Sequence, residues 1–375
     1  MKKFLCHALR PALSALCICA FVVYFCLHNR ANASGSKPAD AGAAPMSCVP
    51  QLSGQGSYDD GVQTSVAAHS SGLILEFHKP GAVQPGAMWY RVGSFEETGV
   101  TWGGSHLIDA AGDWPAAVIS KEGYVLLVYS KPLGTWWPND SDIFYKVGTI
   151  DPYGGVDQSI TWQTESIFWD AGHRPSISMN QNGVIVGVHE PGRGGDGIYY
   201  RVGHLANPAG GDFTVQWDSG PWGIRYETGI NPAIAINNFN EVVAVHQVPG
   251  EALLHYRRGT VSGGAINFGG TRRYDNHAER PEVALLDSGV VLEVHGKGGL
   301  ISRTGTLSLS NSEEIEWAEP VKIDDRANGW FLGLAANETD VIVTYDRYVL
   351  PGKILEAAVG KICEAPQNRW NSHTR

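Results

Sequence analysis

Four histidines and two tyrosines recur at one position of this 375-residue chain. His78, Tyr129, His189, His246, His295 and Tyr345 each close an apolar run of the form VVxVH. An imidazole exchanges protons near neutral pH, and an imidazole or a phenol can hold a hydroxyl group. A cation recurs downstream: Arg91, Lys146, Arg201, Arg257 and Arg303, with Ala358 in the sixth place. A guanidinium presents a fork of N–H donors that suits a carboxylate or paired hydroxyls. Each column has two readings. His78, His189, His246 and His295, with Arg91, Arg201 and Arg257, are candidate ligand-binding residues. Alternatively, each histidine hydrogen-bonds a neighbouring segment, and each cation pairs with an acid such as Asp109, Asp170, Asp275 or Asp324. A repeated residue is what a repeated interface needs, which weighs toward the second reading.

Aromatic residues add a third candidate chemistry. Trp136 and Trp137 lie in an insertion, KPLGTWWPNDSD, and Trp114 and Trp222 lie in or near loops. An exposed indole can stack on the apolar face of a sugar ring, or it can cover the end of its own sheet. Trp102, Trp162, Trp217, Phe268 and Trp317 form a column of their own and are expected in the core. Catalytic signatures are missing: no Asp box, G-x-S-x-G elbow, P-loop or HExxH is present. Glu76 and Glu293 stand two residues before their histidines, where other copies have Leu127, Gly187, Ala244 and Val343, so no carboxylate pair is selected for glycoside hydrolysis. The histidines sit on separate copies, too far apart for one ion's ligand shell. No catalytic residue, metal or cofactor is therefore expected, and the chain leans away from being an enzyme.

The columns follow from a repeat. RPSISMNQNGVIVGVHE at 174–190, NPAIAINNFNEVVAVHQ at 231–247 and RPEVALLDSGVVLEVHG at 280–296 restate one pattern. Fourteen residues before the His/Tyr column stand Thr64, Pro115, Pro175, Pro232, Pro281 and Phe331; six before it stand Gly72, Gly123, Gly183, Asn240, Gly289 and Thr339. A tight hairpin needs positive φ at that second place, which Gly and Asn tolerate. Pro suits the opening of a strand, where no ladder N–H is required. Each copy reads as four strands with alternating apolar residues. Six such copies predict an all-β, six-bladed β-propeller of four-stranded antiparallel blades. The sixth copy lacks its outer strand. The N-terminal run CVPQLSGQGSYDDG matches the outer-strand run GAINFGGTRRYDNH with Tyr58 on Tyr274, so an N-terminal strand is expected to complete the last blade.

The same pattern, VVxVH followed by YRVG, an aromatic and YD, resembles a tandem-repeat propeller family of secreted, mostly bacterial proteins. The resemblance covers residues 48–363 and implies the propeller and export; it carries over no catalytic residue. The blade number also makes the chain architecturally similar to six-bladed fucose-binding lectins, whose sugar sites lie between adjacent blades.

The ends bear on location. Residues 1–33 carry Lys2, Lys3 and Arg10 before an apolar run, then Ala31 and Ala33 in A-x-A spacing, which reads as a secretory signal or, uncleaved, as a signal anchor. Residues 34–47 read as a flexible linker, 48–367 as the propeller and 368–375 as a tail. Past the leader the chain holds 24 Lys+Arg against 38 Asp+Glu, a net charge of −14, which disfavours a nucleic-acid or anionic-membrane partner. Two cysteines remain there, Cys48 and Cys363. An oxidising compartment favours their pairing across the closing blade; the alternative is two free thiols. The sequence thus points to a secreted, periplasmic or cell-surface protein. Its expected role is multivalent carbohydrate binding on glycoconjugates, with no membrane insertion after cleavage. A glycan- or phosphoester-directed hydrolase or lyase at the central channel, and a protein-interaction scaffold, are the alternatives.

Overall fold

The computed structural model describes residues 52–362 except 82–86, 98, 110–111, 134–140, 193–194, 196, 207–212, 221, 328 and 350–351. The chain divides into two compact units, Met1–Ala44 and Pro45–Arg375; the first falls wholly outside the described residues, and the fold below is that of the second. The leader, the linker, the tail, both paired-cysteine candidates and Trp136 and Trp137 likewise lie outside.

Six antiparallel sheets follow the six copies. Blade 1 consists of Val62–Ala68, Leu73–Lys79, Met88–Glu96 and Gly99–Asp109, paired in that order. Blades 4 and 5 repeat this with an outer strand in two pieces, Ala265–Phe268 with Arg272–Asn276 and Ile315–Trp317 with Val321–Asp324. The break, at Gly269 and Gly270 in blade 4, departs from the single outer strand expected there. Blades 2 and 3 share one long strand, Ile167–Met179. Its residues 167–171 pair with Ser141–Thr149 as the outer edge of blade 2. Its residues 172–179 pair with Val184–Pro191 as the inner edge of blade 3. In blade 6 the strands Leu332–Ala336, Asp340–Val349 and Gly352–Lys361 are completed by Ser53–Asp60, with Ser53 opposite Val359 and Asp60 opposite Ile354. The N-terminal strand closes the last blade.

The turn chemistry is as the repeat requires. Gly72, Gly123, Gly183, Asn240 and Gly289 all have positive φ between the first and second strands. In the sixth copy, Asn337 makes the turn instead: its Oδ1 accepts from the backbone N of Thr339 (2.9 Å) and of Asp340 (2.7 Å).

The first strands line a central channel, each lying against those of both neighbours, so that Val62–Ala68 touches Asp113–Ile119 on one side and Leu332–Ala336 on the other. Small residues dominate there, among them Ala67, Ala117, Ala235 and Ala335. Larger residues fill the widening space between sheets: Leu75, Phe77, Tyr90 and Val92 of blade 1 pack on Val125, Leu127 and Tyr129 of blade 2. A wedge-shaped gap between twisted sheets demands this gradient of side-chain volume.

Candidate functional site

The His/Tyr column lies inside the joints between blades. His78, His189, His246 and His295 are all buried, as are Tyr129 and Tyr345. At four joints, the outer strand of the preceding blade offers a carboxylate to the column residue. His189 Nε2 is 3.2 Å from Asp170 Oδ2, and the Tyr345 hydroxyl donates to Asp324 Oδ2 at 3.1 Å. His78 and His295 stand farther from Asp59 (3.6 Å) and Asp275 (3.7 Å), while their Nδ1 atoms meet Glu76 (2.9 Å) and Glu293 (3.0 Å) on their own strands. Tyr274 donates to Glu293 at 2.9 Å, tying the two blades together. At the second joint Tyr129 bonds Ser166 at 2.5 Å instead.

Side-chain exchanges across these joints compensate in size. Where the fifth joint sets Tyr274 beside Glu293, the third sets Trp169 beside Gly187. A Cβ on Gly187 would fall 2.8 Å from the Trp169 ring. The glycine leaves room for the indole.

The arginines of the cation column all bond backbone carbonyls, Arg91 that of Gly103 and Arg303 that of Tyr274 among them, and three also stand near a carboxylate, Arg257 at 3.7 Å from Glu227. Arg91 pairs with Asp59 at 2.6 Å, and Arg303 reaches Asp275 at 3.6 Å. Arg201 and Arg257 bond carbonyls: Arg201 donates to those of Trp169 and Gly220, and Arg257 to those of Tyr226 (2.7 Å) and Gly269 (2.9 Å). Asp170 and Asp324 therefore serve the His/Tyr column, where an ion pair with the cation was expected. The tyrosine before the cation does more than pack. Tyr90 and Tyr256 hydroxyls accept the backbone N–H of Ile160 (2.9 Å) and Ile315 (3.1 Å) on the next blade.

One joint is incomplete. Neither ring nitrogen of His246 has a hydrogen-bond partner among the described residues. Burial, aided by His255 and Arg257 against the pull of Glu227, depresses its pKa to about 4. At His78 burial pushes the same way, but the charges of Glu76 and Asp59 outweigh it and hold the pKa above the usual histidine value.

The joint between blades 2 and 3 opens into a cleft of about 520 Å³. Asp170 and His189 form its floor with Gly223; Phe168, Tyr199 and Trp222 form its walls; Ser141 and Asp142 stand at its rim. Trp222 is 60% exposed and Phe168 45%, their rings edge to face at 6.4 Å. His189 stacks on Tyr199 at 5.9 Å. Asp170 is held by His189, by the backbone N of Gly223 (2.7 Å) and by that of Ala171 (2.8 Å). Burial would raise its pKa, but these hydrogen bonds and the nearby imidazole outweigh it and keep the carboxyl below its usual value, hence ionised. Glycines make the cradle: a Cβ on Gly223 would sit 3.1 Å from Asp170 Oδ2, and one on Gly172 2.5 Å from His189 Nδ1. The cleft thus joins an apolar wall to a fixed anion, a combination that orients small polar ligands.

Of the sequence-derived candidates among the described residues, His189 alone is at this cleft; His78, His246, His295, Arg91, Arg201 and Arg257 are at other joints or deeper in the same one. Residues 134–140, with Trp136 and Trp137, are outside the described residues; Ser141, which follows them, is on the rim. Phe168 and Tyr199 were not singled out by the repeat. The available signal was Trp222, a loop tryptophan four residues before Tyr226 of Ile224–Thr228, an outer piece of blade 3. The other outer strands have Gly54, Gly104, Glu165, Gly270 and Glu319 at that place.

No family model matches the chain, and no curated protein does. Solved structures do. A Dyadobacter fermentans protein of unknown function aligns with a TM-score of 0.56 at 12% identity, over 83% of this chain and 97% of that one. A mutant of the Aleuria aurantia lectin, in complex with Fucα1-6GlcNAc, aligns with a TM-score of 0.51 at 11% identity, over 84% and 100%. Trypanosoma rangeli sialidase, in complex with 2,3-difluorosialic acid, aligns with a TM-score of 0.54 at 12% identity, over 80% of this chain and 54% of that one. At such identities the likeness is one of fold, and the fold they share with this chain is the β-propeller, described for the Aleuria lectin as six-bladed.

Proposed function

We propose that the chain is an exported carbohydrate-binding propeller that takes a sugar in the cleft between blades 2 and 3. The observation that carries this reading is that the exposed Trp222 lines the same cleft as the buried, ionised Asp170. An indole covers the C–H face of a pyranose, and a fixed carboxylate accepts from its hydroxyls. Propellers similar in fold include a lectin bound to a fucosyl disaccharide and a sialidase bound to a sialic acid derivative, which supports a glycan partner in general terms. Trp222 has no counterpart in the other outer strands, so this reading rests on one cleft among the described residues and leaves the multivalency suggested by the repeat to be measured as binding stoichiometry.

A glycan array followed by calorimetry tests the reading. The expected result is saturable binding of a neutral glycan that Trp222→Ala weakens roughly tenfold or more, the worth of one well-placed aromatic contact. No ligand on the array, or unchanged affinity in a folded Trp222→Ala protein, sinks it.

A further inference from the structure

In blades 1 to 5 the first strand begins at a bulge beside one mouth of the central channel. The ladder slips between Val62 and Ser65, Asp113 and Ala116, His173 and Ser176, Ile230 and Ala233, and Glu279 and Glu282. Within each slip one residue is left-handed: Gln63 at φ 57°, Trp114 at 53°, Arg174 at 51°, Asn231 at 49° and Arg280 at 53°. A bulge of this kind asks for Gly or Asn, and bulk there costs about 1–2 kcal/mol. The chain instead puts Trp114, Arg174 and Arg280 in these places, with Trp330 at the matching position of blade 6. Strained bulky residues gathered at one opening point to use of that opening.

Their side chains converge. Arg174 lies 4.8 Å over the Trp114 ring, Arg280 lies 5.2 Å over Trp330 and 5.4 Å over Phe331, and Trp114 meets Phe331 at 5.3 Å. Four cations surround this group, and three are neutralised. Lys79 pairs with Asp113, Arg174 with Glu190 at 3.0 Å, and Lys353 with Asp346 at 3.0 Å. Glu190 is saturated further by His173 (3.1 Å) and the backbone N of Asn231 (2.7 Å), and Asp346 by the backbone N of Phe331 (3.1 Å). Arg280 has no carboxylate within 4.0 Å among the described residues; its Nη1 donates to the carbonyl of Trp330 at 2.5 Å. Glu279, Asp346 and Glu190 attract Arg280 from beyond that distance, against burial and the charge of Arg174, and Glu279 is exposed. Glu282 faces the channel here, and burial together with the charge of Glu293 pushes it up to about 8. It is protonated at neutral pH and does not balance Arg280. Trp330 is 55% exposed.

We propose that this mouth binds a sugar acid, with its carboxylate on Arg280 and its ring against Trp330. A guanidinium preorganised on aromatic faces with no carboxylate in direct ion-pair contact is a receptor for a planar anion. The aromatic wall selects a carboxylate attached to a ring with apolar faces over a bare inorganic anion. The site is on the propeller axis, separate from the cleft of blades 2 and 3, and does not depend on it.

Ligand-observed NMR titration of the full chain with D-glucuronate, D-glucose and inorganic phosphate at low salt tests this. Glucuronate is expected to bind saturably, glucose not at all, and phosphate more weakly than glucuronate. Arg280→Gln, shown folded by an unchanged melting curve, is expected to weaken glucuronate roughly tenfold or more, as loss of a charge-assisted hydrogen bond does. Trp222→Ala is expected to leave that titration unchanged, which separates this site from the cleft. Equal binding of glucose and glucuronate, phosphate binding as tight as glucuronate, a Trp222→Ala effect, or no binding by the unaltered chain overturns the proposal. Should Arg280→Gln unfold, Trp330→Ala replaces it, with the same loss expected.

Discussion

Histidines of one column titrate in opposite senses because of a single neighbouring position. Blade 1 carries Glu76 where blade 4 carries Ala244. His78 has its pKa raised, so the stability it contributes is fully present below the ordinary histidine pKa and is lost as pH climbs through the raised value. His246 is held at about 4. The unfolded chain protonates there near 6.5 and the folded chain does not, so stability falls between those pH values, by roughly 3 kcal/mol for this residue. His246→Phe is expected to flatten the acid side of the stability curve relative to the parent, read by urea denaturation at pH 7, 6 and 5. Parallel curves would contradict the assignment. Glu282 works the other way from an ordinary carboxylate. Its proton is held in the fold up to about pH 8, so its contribution is lost as pH rises from the usual glutamate range toward 8. Glu282→Gln is expected to leave the melting temperature unchanged at pH 4 and to raise it at pH 9.

Elements depend on glycines where neighbouring strands or rings come closest. Gly187 sits on the second strand of blade 3, facing the Trp169 indole. Gly187→Ala is expected to cost about 1–3 kcal/mol by overpacking, measured by chemical denaturation, and a paired Trp169→Phe change is expected to recover part of it. These exchanges explain why the repeat is legible but imperfect. The Gly/Asn turn column, the Pro column and the apolar alternation are imposed by local backbone geometry, so every copy shows them. Glu76 and Glu293, against Gly187 and Ala244, are set by what the next blade inserts, which no single copy reveals. The strand shared by blades 2 and 3 was hidden because it runs across a copy boundary, pairing with Ser141–Thr149 on one side of it and Val184–Pro191 on the other.

The whole molecule is a ring closed by its own N-terminal strand. Without Ser53–Asp60, blade 6 would present Gly352–Lys361 as an open edge, a template for association. Removing residues through Asp60 is expected to produce loss of the cooperative melt and higher-order species on size-exclusion chromatography. By contrast, Leu127→Ala, in the core between blades 1 and 2, is expected to cost about 2–5 kcal/mol with the ring intact. The last described residues at the two ends, Leu52 and Ile362, pack on one cluster with Leu286, Val290, Leu292 and Val341. A Cys48–Cys363 bridge is the expected latch beyond them, checked by thiol titration of the unfolded protein prepared without residues 1–33, which hold the other four cysteines; two reactive thiols would dismiss it.

By itself the sequence determined the blade, the number of blades and the way the circle closes, because turn residues, strand period and a displaced half-repeat are all written along the chain. Only the tertiary structure decided which repeated side chains are spent on joints. The histidines and arginines of the strongest columns are consumed between sheets, since a repeated position is a repeated contact. The places that break the repeat emerge from packing between blades: Trp222 and Asp170 meet at the joint of consecutive blades 2 and 3, and the arginine–tryptophan mouth gathers residues of blades 2, 3, 5 and 6.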